Sequence, residues 1–365
     1  MNKRVITTTF QNAYNYGAIL QCYALQKKIK NLGIETEVLN YNNTLIGAGY
    51  KAIFVNKRNP VKSIISSLLR FKPRYGRQVA FETFIKNKVK LSPKYSKKKI
   101  KSLDFSDEIL ITGSDQVWNP KITRGFDDIY TLNFAPNTKK ISYAASTGNI
   151  DNINEYKAEY IDIINRLDYI SVREEDACEN LNKITSKKID RVLDPTLLIS
   201  REEWEDDIEK IEKNGCKYIV AYVVEPDVEY IKIVNDLSEK TGLKVIHFGL
   251  KNPGYKNVLK SAYTEGPLEF VNYIKNAEYV VATSFHATVF SILFNKKFFI
   301  VPHRKTGARV TNLLDKLGIE GRTFSNYEEF KNIDYDFETD WNKVESKLEM
   351  ERKKSLDWLI NAIEG

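Results

Sequence analysis

The stretch Glu278–Pro302, EYVVATSFHATVFSILFNKKFFIVP, decides the fold. Tyr279 to Ala282 is a short apolar run, Thr283 to His286 is polar, Ala287 to Phe294 is apolar again, and Phe298 to Val301 is a second short apolar run. That order predicts strand, turn, helix and strand, with a buried parallel strand feeding the helix. A helix entered in this way has first-turn N–H groups without intrahelical partners, and its macrodipole favours an anion there. Thr283, Ser284 and His286, one of only three histidines, occupy the turn. Ligands of open α/β sheets bind beyond the carboxyl ends of strands, so this turn is a candidate site. The competing reading is structural, with Ser284 or Thr283 capping the helix and His286 packed.

Working outward, the same alternation continues on both sides. Upstream lie strand Tyr218 to Val223, helix Val228 to Thr241, strand Lys244 to Phe248 and helix Pro267 to Asn276; downstream lies helix Arg309 to Leu317. The amino-terminal part opens with strand Arg4 to Thr9, helix Ala18 to Asn31 closed by Gly33, and strand Glu35 to Asn40, a βαβ unit. Strands Glu108 to Thr112, Lys140 to Tyr143, Tyr169 to Val172 and Arg191 to Leu193 follow, with a helix at Asn152 to Leu167 and another from Glu174. Asp194-Pro195 stops the last of these strands, and acid-rich Arg201 to Lys213 reads as a surface helix at a domain junction. The expected fold class is α/β, two Rossmann-like domains facing a cleft. Residues 1–200 form the first and 215–335 the second, with 338–365 a helix packing back on the first.

With 365 residues and 42% hydrophobic content, the chain is long enough for two sizeable cores. Cys22, Cys178 and Cys216 are odd in number and show no CxxC spacing, which supports neither a disulfide frame nor a zinc site. No Asp and His cluster with ligand spacing calls for a metal. The start, MNKRVITTTF, has no apolar signal core, and the longest uncharged run, Tyr279 to Asn295, is too polar to span a bilayer. A cytoplasmic protein is expected. Its formal charge of +8 is concentrated between Lys51 and Lys101, where sixteen Lys or Arg residues meet one acid, Glu82. That segment is +15 and the remainder −7, a local field suited to a polyanion or an anionic surface. Within it, Val61, Ile64, Ile65, Leu68 and Leu69 have the spacing of an amphipathic helix, which either lies on a bilayer at the inner face of the membrane or packs on the first domain. The segment lacks a nucleic-acid reading motif.

Polar groups also gather at predicted strand ends of the first domain. The turn after the first strand lacks GxGxxG but holds Asn12, Asn15, Tyr16 and Gly17, with Gln21 and Gln26 beyond; such turns also satisfy their own backbone. Gly113 permits a sharp exit from its strand, after which Ser114, Asp115 and Gln116 project beside Trp118, a combination that suits a sugar. Arg173 sits at a strand-to-helix junction where a guanidinium grips a phosphate or carboxylate, or else pairs with Glu174, Glu175 or Asp176.

Six of these elements, Asn15-Tyr-Gly-Ala-Ile-Leu-Gln21, Gly113-Ser-Asp-Gln-Val-Trp-Asn119, Ser142-Tyr-Ala-Ala-Ser146, Ser171-Val-Arg-Glu174, Val192-Leu-Asp-Pro-Thr196 and Thr283-Ser-Phe-His286, occur in the order seen in polysaccharide pyruvyl transferases. The chain resembles that family over roughly residues 4 to 320. The resemblance implies a GT-B-like architecture and transfer of pyruvate from phosphoenolpyruvate to a sugar as a ketal, without a cofactor. The acceptor it implies is a cell-surface glycan or its polyprenyl-diphosphate-linked precursor. Arg173 and His286 would then bind the donor together with Ser284, which stands where relatives carry arginine; Arg309 or Arg304 would restore that cation. Asn15, Ser114, Asp115, Gln116 and Trp118 would meet the acceptor. In the chemistry so implied, Arg173 holds developing charge, His286 serves the phosphate and Asp115 takes a hydroxyl proton. Two other functions stay open, a GT-B glycosyltransferase using a nucleotide sugar and a non-catalytic member that binds glycan or membrane.

Overall fold

A computed structural model describes residues 3–43, 46, 70–209, 215–223, 226–302 and 307–365. The amphipathic pattern Val61 to Leu69 and Arg304 lie outside the described residues. The chain divides into two compact units, one of Met1–Arg74, Phe81–Ile199 and Met350–Gly365, the other of Tyr75–Ala80 and Ser200–Glu349.

In the first unit the described strands are β1 (Arg4–Thr8), β2 (Thr36–Val38), β3 (Glu108–Thr112), β4 (Lys139–Ala145), β5 (Tyr169–Val172) and β6 (Asp190–Arg191). They form one parallel sheet in the order β2-β1-β3-β4-β5-β6. β1, RVITT, is buried from its second residue on, as a strand covered on both faces must be. The helix Tyr16–Asn31 carries β1 over to β2, with Ile19, Leu20, Leu25 and Ile29 buried. The end of the helix Trp341–Glu364 belongs to this unit too. Trp358 Nε1 donates to Asp190 at 2.9 Å, Arg352 Nε donates to the Leu197 carbonyl at 2.8 Å, the Leu193 N–H donates to Ser355 Oγ at 3.0 Å, and Arg191 pairs with Glu351.

The second unit holds β7 (Tyr218–Tyr222), β8 (Lys244–His247), β9 (Val258–Ser261), β10 (Tyr279–Ala282) and β11 (Lys297–Ile300), parallel in the order β11-β10-β7-β8-β9. The deciding stretch folds as read: β10, the helix Phe285–Leu293, then β11 in register with β10 from Tyr279 opposite Lys297 to Ala282 opposite Ile300. Ile233, Val234 and Leu237 of the helix Val228–Thr241 pack with Ile219, Val281 and Phe299, and each side chain so buried contributes about 1.5–3 kcal/mol. Besides several four-residue helices, β9 and the helix Phe71–Lys88 had no counterpart in the sequence reading. β9 is an edge strand whose four residues are all exposed, so burial wrote no alternation into it. The helix Phe71–Lys88 buries only Phe81, Phe84 and Ile85 among its basic residues.

Candidate functional site

In the first unit the carboxyl ends of β3, β5 and β6 bring a charged cluster together. Arg173, 5% exposed, donates through Nη1 to Asp194 Oδ2 at 2.9 Å and through Nε to Glu174 Oε1 at 3.0 Å. Asp194 also accepts from the Ser114 hydroxyl at 2.9 Å and from the Thr196 N–H and hydroxyl at 3.0 and 2.7 Å, which caps the turn Pro195–Leu198. Burial alone would lower the Arg173 pKa, but Glu174, Asp194 and Asp115 raise it above the ordinary arginine value. The guanidinium is therefore permanently charged and matched inside the protein. The sequence offered a donor grip or an acidic partner for Arg173; it has the partners, Glu174 and the unforeseen Asp194. Its Nε and Nη1 are both held by these carboxylates.

Asp115 stands at the rim of this cluster, half-buried, in the left-handed region at φ 73°. Its carboxylate accepts from the Gln116 N–H at 2.8 Å, and its carbonyl accepts from the Ser146 N–H at 3.0 Å, tying the β3 exit to the β4 exit. Gln116 Oε1 accepts from Asn119 Nδ2 at 2.7 Å, and Asn152 Nδ2 donates to Asn119 Oδ1 at 3.1 Å. Gly148 closes over this pair, where a Cβ would come within 2.2 Å of Asn119 Nδ2. Asn15 caps the helix Tyr16–Asn31, accepting from the Ala18 N–H at 3.2 Å, and stays half-buried. Gln21 donates to Thr9 Oγ1 at 2.8 Å, so this turn serves its own backbone and neighbours.

Two expected acceptor contacts are corrected. Trp118 is 0% exposed within the core cluster, which leaves its ring no face for a sugar to stack on. Ser114 is 0% exposed with its hydroxyl on Asp194. Polar neighbours in the sequence suggested a surface; in the turn after β3, Ser114 and Trp118 are buried while Asp115 and Gln116 stay half-buried. Asp194 was the residue missed as part of a site. Asp194-Pro-Thr196 carries a signal for it, since aspartate before proline at a strand end is a helix N-cap pattern.

In the second unit, Ser284 is the N-cap residue of the helix Phe285–Leu293, with extended backbone at φ −96° and ψ 134°. Its side chain caps no backbone N–H, which removes the hydroxyl-cap reading for this residue; its carbonyl accepts from the Thr288 N–H and hydroxyl, both at 3.1 Å. Thr283 and Ser284 are half-buried, and His286 is buried, its ring 5.3 Å from that of Phe285 and perpendicular to it. Arg309 lies in the first turn of the helix Ala308–Leu317, half-buried. Ser284, His286 and Arg309 thus belong to one unit, and Asn15, Asp115, Gln116 and Arg173 to the other. Among the described residues no group of three or more His, Cys, Asp or Glu is placed to hold a metal ion.

The family model for polysaccharide pyruvyl transferase matches residues 15–305. The chain belongs to that family. No curated protein matches the chain. Among solved structures it resembles a UDP-N-acetylglucosamine 2-epimerase at 11% identity and a TM-score of 0.58, covering 98% of this chain and 95% of that one. It also resembles the UDP-N-acetylglucosamine 2-epimerase of Rickettsia bellii at 11% identity and a TM-score of 0.52, over 100% of this chain and 98% of that one. These likenesses are of fold, and with the two parallel sheets they give the chain a GT-B-like fold class.

Proposed function

We propose that this pyruvyl transferase moves pyruvate from phosphoenolpyruvate to two hydroxyls of a sugar as a ketal, on a cell-surface glycan or its lipid-linked precursor. The observation that carries the reading is the entrance to the helix Phe285–Leu293, whose N-cap hydroxyl is not used as a cap and whose first turn bears His286. Such an entrance offers N–H donors and a favourable dipole to the donor's phosphate or carboxylate. Ser284 supplies a neutral hydroxyl where the resembling family carries arginine, and Arg309 in the same unit is the cation we assign to the donor in its place. The other unit suits the acceptor, because a cluster of three carboxylates around one arginine is net negative and favours hydroxyls over a second anion.

In the reaction, a proton adds to the methylene carbon of phosphoenolpyruvate while one sugar hydroxyl attacks the neighbouring carbon. The second hydroxyl then displaces phosphate from that carbon and closes the ring, giving the ketal and inorganic phosphate. Asp115 takes a hydroxyl proton, and His286 donates a hydrogen bond or proton to the departing phosphate. Arg173 is a positioning residue that fixes Glu174 and Asp194 behind Asp115. The protein meets its acceptor at an anionic membrane face through the basic segment 51–101. The described part of that segment supports this: Phe71, Tyr75 and Val79 are exposed at four-residue intervals on a helix carrying Lys72, Arg74 and Arg77.

Calorimetric titration with phosphoenolpyruvate, beside uridine diphosphate sugars, tests the donor. Saturable binding of phosphoenolpyruvate that His286→Ala or Arg309→Ala weakens about tenfold to a hundredfold is expected. Binding of a nucleotide sugar in its place would overturn the reading in favour of a glycosyltransferase.

A further inference from the structure

A cavity of about 570 Å³ opens at the amino-terminal edge of the first unit's sheet, the edge opposite to Asp115 and Arg173. Its size falls in the range of small-molecule sites, roughly 300–1,000 Å³. Its apolar wall comes from Leu32 and Ile34 after the helix Tyr16–Asn31, Ile109 of β3, and Ile360 and Ile363 of the helix Trp341–Glu364. Two lysines complete it, Lys3 and Lys139. Their placement follows from register: Val5 pairs with Ile109, Ile109 pairs with Lys139, and Lys3 stands two residues before Val5, so all three side chains leave the same face.

Neither ammonium is neutralised there. Lys139 Nζ donates to the Ile363 carbonyl at 3.0 Å and stands 5.0 Å above the Tyr169 ring, and Lys3 Nζ donates to the Ser106 carbonyl at 3.2 Å. Among the described residues neither lysine has a salt bridge, and the lining acid, Glu364, is exposed. Burial does most to depress the Lys139 pKa, Asp168 opposes it by less, and the charge of Lys3 lowers it by less still. A bound anion would offset the cost of burying the ammonium.

We propose that this cavity binds an anionic aliphatic amphiphile, a single hydrocarbon chain carrying a carboxylate or phosphate head. The chain lies along Leu32, Ile34, Ile109 and Ile360, and the head meets Lys3 and Lys139. The chemistry is distinct from that of phosphoenolpyruvate, which has no chain to bury, and the site is independent of the donor reading above.

The test is calorimetric titration of the full chain with octanoate, decanoate, decyl phosphate, decanol and inorganic phosphate. Decanoate and decyl phosphate are expected to bind once per chain, and each added methylene should tighten binding about fourfold. Decanol and inorganic phosphate should each bind at least about tenfold more weakly. Lys139→Gln should weaken decanoate about tenfold, Ile360→Trp should abolish binding by filling the cavity, and His286→Ala should leave it unchanged. Circular dichroism melts show whether each variant is folded. Equal binding of decanol and decanoate, no chain-length dependence, or folded Lys139→Gln and Ile360→Trp proteins that bind like the parent would each overturn the proposal.

Discussion

Arg173 is the residue on which the acceptor side depends most. It is a full positive charge buried in the first unit, and both of its acidic partners are buried with it, Asp194 at 1% and Glu174 at 7% exposure. Removing one member of such a set leaves uncompensated charge in a low dielectric, so Arg173→Ala should lose about 3–5 kcal/mol of stability. Urea titration read by circular dichroism checks this, and an unchanged midpoint would refute the pairing. Arg173→Lys keeps the charge but loses the forked geometry, so its loss should be smaller. Cys22 makes a second prediction. Burial pushes its thiol from 9.0 up to about 12. Between those values the folded state keeps a proton that the unfolded chain releases. Its stabilising contribution is therefore complete below pH 9 and declines toward pH 12 by at most about 1.4 kcal/mol per pH unit. Cys22→Ala should flatten that alkaline decline, and an identical slope would count against it. Iodoacetamide should meanwhile label exposed Cys216 in the native protein and leave Cys22 untouched.

At the scale of elements, the helix Tyr16–Asn31 shows how a site candidate and a cap coincide in Asn15. Asn15→Ala removes the acceptor of the Ala18 N–H and should cost about 0.5–2 kcal/mol in thermal or urea unfolding. If sugar binding falls further than that loss of folded protein explains, Asn15 meets the acceptor as well. Gly148 is the tighter constraint. At φ 80°, with Asn119 and Gln116 against it, alanine there should destabilise by about 1–3 kcal/mol, a loss that denaturant titration would detect. These elements also mark what the sequence could carry. The strand–turn–helix–strand order of Tyr279–Ile300 was legible because burial on both faces leaves continuous apolar runs, and its polar turn interrupts them. The helix N-cap at Ser284 was legible as a position, but whether its hydroxyl was used was not. Ser114 and Trp118 were misread because a tryptophan among polar neighbours looks alike on a surface and in a core. The exit angle of β3, set by pairing with Thr8 and Ala145, decides between them. β9 was illegible because an exposed edge strand needs no apolar pattern. The Arg173 to Asp194 pair was illegible because it is made by strands whose neighbours are set by the sheet order.

For the molecule as a whole, charge is the most distinctive quantity. The +15 of Lys51 to Lys101 against −7 elsewhere predicts selective adhesion to anionic bilayers. In flotation assays the protein should rise with phosphatidylglycerol vesicles and not with phosphatidylcholine vesicles, and should be released as salt shortens the screening length from about 10 Å at 0.1 M. Flotation that ignores lipid charge would sink this expectation. No helix among the described residues is long and apolar enough to cross a membrane.

The helix Trp341–Glu364 ends in the first unit although the second unit lies before it in the chain. During synthesis on the ribosome, the second unit's residues have therefore all emerged before the first unit receives Glu351, Arg352, Ser355 and Trp358. Until then the edge strand β6 and the turn at Asp194 lack their cover. A premature stop near residue 349 should therefore leave the first unit without this cover while all the residues of the second unit are present.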